Sequence, residues 1–121
     1  MIGIGIDAVE IARFRNVLAR TPTVARRLFT DAERAYGNAA RDPAPRLAAR
    51  FAAKEAVMKS LGVGIGAFGF HEVEVITADS GAPSVELRGA AADLAARLGV
   101  TSFQLSMTHT ELVAEAVVAA L

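Results

Sequence analysis

Arg50, Lys54, Glu55 and Lys59 put three cations and one acid into ten residues of this chain. At about 100° per residue, Leu47, Phe51 and Met58 form the centre of an apolar ridge. Glu55 and Lys59 lie four apart on one flank, beside the small residues Ala48 and Ala52; Arg50 and Lys54, also four apart, lie on the other. Cations grouped beside a glycine-rich turn suit a polyphosphate, whose charge needs positive groups or a metal close by. A second carboxylate, Asp7, ends an apolar stretch near the N-terminus. Magnesium is usually held by one or two carboxylates, with phosphate oxygens and waters completing its shell. Asp7 and Glu55 form such a pair if their two elements meet. The same spacing also fits a surface helix with one Glu–Lys pair contributing ~0.2–0.5 kcal/mol, and Asp7 also fits as a helix cap. Spacing alone leaves both readings open.

His109 stands between Thr108 and Thr110, with Ser106 close by. These groups can donate hydrogen bonds to a phosphate, although a histidine in a turn is more often a plain surface residue. His71 has no evident role. The run Gly62-Val63-Gly64-Ile65-Gly66 follows a helical pattern instead of preceding one and lacks the Gly-Lys-Ser/Thr ending, so it is not a P-loop. No strand leads into it, which also excludes a dinucleotide fingerprint. Its bare backbone can serve as a flexible helix exit or line a ligand groove. There are no cysteines, which removes disulfides, thiolate metal sites and a cysteine nucleophile. No Ser–His–Asp arrangement stands out.

The elements that must position these groups follow from periodicity. Residues 1–9 alternate, with Ile2, Ile4 and Ile6 on one parity and Gly3, Gly5 and Asp7 on the other, and predict a strand. The two glycines leave one face bare, so something approaches the backbone there. Ile11, Phe14, Val17 and Leu18 predict a helix over 10–20, stopped or bent at Thr21-Pro22. Thr30-Asp31-Ala32-Glu33 has the form of a capping box, opening a helix that runs to about Ala40. After the loop Asp42-Pro43-Ala44-Pro45, a long alanine-rich helix is predicted from about Arg46 to Leu61, closed by Gly62. His71–Thr77 and Ser84–Arg88 predict two strands joined by the turn Asp79-Ser80-Gly81-Ala82-Pro83. A helix over 90–98 ends at Gly99, and Thr101–Thr108 and Leu112–Ala119 predict paired strands around His109-Thr110-Glu111. The last strand is apolar on both parities and calls for cover on both faces, from a helix or another subunit. Mixed helices and a late hairpin give an α+β class, a small antiparallel sheet packed with a long helix.

At 121 residues, 53% hydrophobic and 21% charged, the chain predicts one globular domain over 1–121. Its formal net charge is zero, so no global field favours nucleic acid or an anionic membrane. No apolar run reaches the ~18 residues that span a bilayer. The expectation is a soluble, cytoplasmic protein.

Four blocks, in this order, carry a resemblance: Gly3-Ile4-Gly5-Ile6-Asp7-Ala8-Val9-Glu10-Ile11-Ala12-Arg13; Leu28-Phe29-Thr30-Asp31-Ala32-Glu33; Arg50-Phe51-Ala52-Ala53-Lys54-Glu55-Ala56 through Lys59 and Gly64; and Leu105-Ser106-Met107-Thr108-His109-Thr110. They span nearly the whole chain, which resembles the holo-acyl-carrier-protein synthases of the 4'-phosphopantetheinyl transferase superfamily. The resemblance implies transfer of 4'-phosphopantetheine from coenzyme A to a serine of an apo acyl carrier protein, as in fatty acid biosynthesis, with magnesium and with release of 3',5'-adenosine bisphosphate. It implies that Asp7 and Glu55 bind the metal, and that Glu55 and Lys59 are catalytic. It further implies that Lys59, Arg50, Lys54, Gly62, Gly64, Pro83, His109 and Thr110 hold coenzyme A, and that Arg13 meets the carrier. A further basic contact matches either Arg41 or Arg46. At the turn Gly81-Ala82-Pro83, alanine stands where the family commonly has a basic residue. The family is homotrimeric with active sites between subunits. Two other readings remain at this point: a module that binds a nucleotide or carrier without chemistry, and a magnesium-dependent hydrolase of nucleotide diphosphates.

Overall fold

Two glycines decide how the first strand lies. In the computed structural model, which describes all residues from Met1 to Leu121, strand β1 (Gly3–Glu10) rests on the long helix α4 (Ala44–Ser60) backbone to backbone. A Cβ added at Gly3 would stand 1.9 Å from Ser60 O, and one at Gly5 1.9 Å from Ala56 O. Only glycine fits at that separation. The bare face read from the sequence is therefore filled by α4. Asp7 has the same parity as Gly3 and Gly5, which delivers its side chain to the helix face carrying Glu55 and Lys59.

Alanine does on α4 what glycine does on β1. Ala48, Ala52, Ala53 and Ala56 are fully buried, and their small side chains let the helix lie close beneath a three-stranded antiparallel sheet of order β1-β5-β4, with β4 Phe103–His109 and β5 Val113–Ala120. In the register, Asp7 stands opposite Ala116, which stands opposite Met107. A separate antiparallel hairpin pairs β2 (Val73–Thr77) with β3 (Pro83–Leu87). Two apolar clusters flank α4. One is built around Val57, Met58, Val73, Val75 and Val118, the other around Ile11, Phe14, Phe29 and Leu47.

The remaining helices are α1 (Ile11–Arg20), α2 (Thr23–Leu28), α3 (Asp31–Asn38) and α5 (Gly89–Leu98). The capping box at α3 forms as expected: Glu33 N donates to Thr30 Oγ1 at 3.3 Å and Thr30 N donates to Glu33 Oε1 at 2.8 Å. α5 ends at Gly99, whose φ of +80° lies in the left-handed region. No helix is long and apolar enough to cross a membrane.

Apart from shifts of one or two residues at element ends, three details depart from the sequence reading. α2 was not anticipated; it buries no residue fully, so it leaves no apolar stripe to detect. α4 begins at Ala44 instead of Arg46, because Pro45 sits in the first turn, where its missing N–H costs nothing. His71 belongs to a 3-10 turn, Phe70–Glu72, ahead of β2. The doubly apolar last strand proves to be the centre of its sheet. Its inner residues Ala114, Ala116, Val118 and Ala120 are buried. On the outer side Ile4 (60% exposed), Ile6 (64%) and Val117 (39%) form an open apolar face.

Candidate functional site

Asp7, Glu55 and Lys59 converge at the seam between β1 and α4. Lys59 Nζ donates to Asp7 Oδ1 at 3.0 Å and to Ile6 O at 3.0 Å. Asp7 and Glu55 line one cavity of about 330 Å³, walled by Phe14, Val17 and Phe51 and flanked by Arg13 from α1. Burial pushes the Glu55 carboxyl above the ordinary carboxylate range. The Asp7 charge and a hydrogen bond to Asp7 push the same way, while the Lys59 ammonium opposes them. Two hard carboxylates facing one cavity fit magnesium, whose attraction relieves their mutual repulsion. No group of three or more His, Cys, Asp or Glu converges to cage an ion, so further oxygens for such a cation come from phosphate and water. The helix-cap alternative for Asp7 falls away, since Glu10 and not Asp7 precedes α1, and Glu10 makes no side-chain cap bond.

A second cluster forms at the other end of α4. The Arg50 guanidinium packs 3.8 Å from the Tyr36 ring centroid and donates to Thr77 Oγ1, while its Nε is buried without a partner. It lines a cavity of about 400 Å³ with Tyr36 and Thr77. Arg46 lies 4.4 Å from the same ring and donates to Tyr36 O at 2.8 Å. Arg46, not Arg41, therefore joins Arg50. Pro83 pairs with Thr77 across the β2–β3 hairpin, so its turn borders this cluster. Tyr36 and Thr77 went unnoticed in the sequence. Nothing in their own segments marks them, and they acquire meaning only when α3 and β2 close on Arg50.

Lys54 is a correction. It is fully buried, and its Nζ lies 2.7 Å from Glu33 Oε1, 2.8 Å from Phe70 O and 2.7 Å from Val73 O. All three ammonium donors are thus spent inside the protein, and no face remains for coenzyme A. Burial pulls the ammonium below its usual range, with the Glu33 charge opposing. Glu33 also accepts from Val75 N at 2.9 Å. The pair ties α3, α4 and the start of β2 together. Such a pair is costly to break, because removing one partner strands the other charge in the core.

His109 and Thr110 lie apart from both clusters. They line a cavity of about 500 Å³ with Arg15, Asp42 and Pro45. Thr110 Oγ1 accepts from Leu112 N and Val113 N, each at 3.2 Å, which fixes the hairpin. Gly62 and Gly64 follow α4 in open space, with nothing within 4 Å of an added Cβ, and Gly62 ends the helix at φ +76°. Within one chain the structure thus joins Asp7, Glu55, Lys59 and Arg13, joins Arg50 with Pro83 elsewhere, and leaves His109 and Thr110 at a third place.

Comparison with known proteins bears on this geometry. The 4'-phosphopantetheinyl transferase superfamily model matches residues 3–120. A holo-[acyl-carrier-protein] synthase from Frankia alni is 48% identical over 120 residues, covering 99% of this chain and 97% of that protein. Among solved structures, the holo-[acyl-carrier-protein] synthase of Neisseria meningitidis superposes with a TM-score of 0.90 at 32% identity, covering 100% of this chain and 98% of the other. The Helicobacter pylori holo-[acyl-carrier-protein] synthase, solved in complex with coenzyme A, gives 0.86 at 30%, covering 98% and 99%.

Proposed function

Because the chain belongs to the 4'-phosphopantetheinyl transferase superfamily, we propose that it transfers the 4'-phosphopantetheine arm of coenzyme A to a serine of an apo acyl carrier protein. A bond forms between the serine oxygen and the β-phosphorus, the diphosphate bridge breaks, and 3',5'-adenosine bisphosphate leaves. The observation that carries this reading is the meeting of Asp7 and Glu55 at one cavity, with Lys59 bonded to Asp7 beside it.

Asp7 and Glu55 hold magnesium, which when bound supplies charge neutralisation for the diphosphate. Lys59, one helical turn beyond Glu55, adds a compact positive charge where the leaving oxygen becomes anionic. The serine proton passes to Glu55 or to a water beside the carboxylate pair. Arg50 and Arg46 hold the nucleotide end, where Arg50 lines the cavity it shares with Tyr36 and Thr77. Pro83 borders the nucleotide end beside Arg50, and the bare backbone of Gly62 and Gly64 meets coenzyme A beyond the C-terminus of α4. Arg13, exposed at the cavity rim, meets the acidic carrier. The nucleophile belongs to the carrier, so the chain needs no activated serine or cysteine of its own.

His109 and Thr110 lie away from Asp7 and Glu55 within one chain, so they complete the site from a neighbouring copy. The assembly is a homotrimer whose subunits meet through the open sheet face bearing Ile4, Ile6 and Val117. The test is to incubate the protein with coenzyme A, magnesium and an apo carrier, then weigh the carrier. One phosphopantetheine arm should be gained only when magnesium is present. Cleavage of coenzyme A without any carrier would instead mark a hydrolase.

A further inference from the structure

Lys59 has partners before any ligand arrives. Its side chain is 52% exposed, yet the ammonium is drawn back onto β1, donating to Asp7 Oδ1 and Ile6 O at 3.0 Å each. Asp7 is far less accessible, at 13%. One of the two Asp7 oxygens, Oδ1, is therefore already engaged by a tethered cation. A half-exposed pair of this kind is weak, and the lysine stem is long and flexible. A dication shared by Asp7 and Glu55 gains attraction from two carboxylates, whereas the ammonium gains mainly from one.

We infer that Lys59 is the resident counter-ion of Asp7 in the metal-free chain, and that a divalent cation displaces it and so frees the ammonium for an incoming diphosphate. The inference rests on the reading of Asp7 and Glu55 as the metal-holding pair. It makes metal entry the step that releases a phosphate ligand, so coenzyme A is held tightly only after the ion has entered.

The test uses the full chain, labelled with 15N-lysine, without coenzyme A. The Lys59 ammonium resonance, identified by its loss in Lys59→Arg, should be present in metal-free protein and should shift or broaden away as magnesium saturates. Manganese, titrated by calorimetry, should bind Lys59→Met about two- to fivefold more tightly than the unaltered chain, the range a half-exposed ion pair withholds. If Asp7→Asn abolishes manganese binding but magnesium leaves the ammonium resonance unmoved, the displacement is wrong and the metal pair stands. If the unaltered chain binds no manganese, the metal reading fails and takes this inference with it.

Discussion

Two carboxylates face one ammonium where β1 meets α4, and this imbalance sets what each residue does. Glu55 carries a folded-state proton affinity above its unfolded one. Its native form therefore binds more protons between the two pKa values, and metal-free stability falls as pH rises through that window. Glu55→Gln should flatten this dependence and raise the melting temperature of metal-free protein at neutral pH; an unchanged profile would show that neither burial nor Asp7 perturbs the Glu55 carboxyl. Lys59→Ala should slow transfer by about a hundredfold or more while leaving circular dichroism unaltered. Helical period set Glu55 against Lys59 and strand parity set Asp7 with Gly3 and Gly5, but the meeting of the two elements was implied only by the family resemblance, since no local period reports a strand–helix contact. Lys54 was not legible. Its fate depends on Glu33, a partner far off in sequence on another helix, and burial of that kind is a tertiary fact no local period encodes.

At the scale of elements, the site depends on how closely β1 lies against α4. Gly5→Ala would drive a methyl into Ala56 O and toward Ser60 N, at 1.9 and 2.8 Å. The strand has to lift, at a cost of about 1–3 kcal/mol or more, and Asp7 lifts with it. A lowered denaturation midpoint, with transfer lost more steeply than stability, is the expected result; full activity would mean that the glycine contact does not position Asp7. Most of the architecture could be read from the chain because β1, α4, α5 and the late hairpin each carry a clean period or a terminating glycine. α2 could not, having no buried stripe. The Arg46–Tyr36–Arg50 stack likewise joins α3 to α4 through side chains whose own segments give no hint of each other.

For the whole molecule, two features of the surface matter. Eleven of the 13 Lys and Arg residues precede residue 61, so a neutral chain still carries its positive charge unevenly, with five arginines on α1 and α2. The outer sheet face is apolar and uncovered. If subunits associate through this face as proposed, Ile4→Glu should lower the mass seen in sedimentation experiments to that of one chain and abolish transfer without unfolding it. An active monomer would mean that His109 and Thr110 are not needed from a neighbour. The sequence pointed to this face through the doubly apolar last strand, although it was the exposed isoleucines of β1, not β5 alone, that turned out to define it.

The most direct test weighs an apo acyl carrier protein after incubation with coenzyme A, magnesium and either the unaltered chain, Asp7→Asn or Glu55→Gln. Only the unaltered chain should add a phosphopantetheine arm at an appreciable rate. Transfer at the unaltered rate by a folded Asp7→Asn or Glu55→Gln variant would contradict the claim that these two carboxylates together hold the reacting diphosphate's metal.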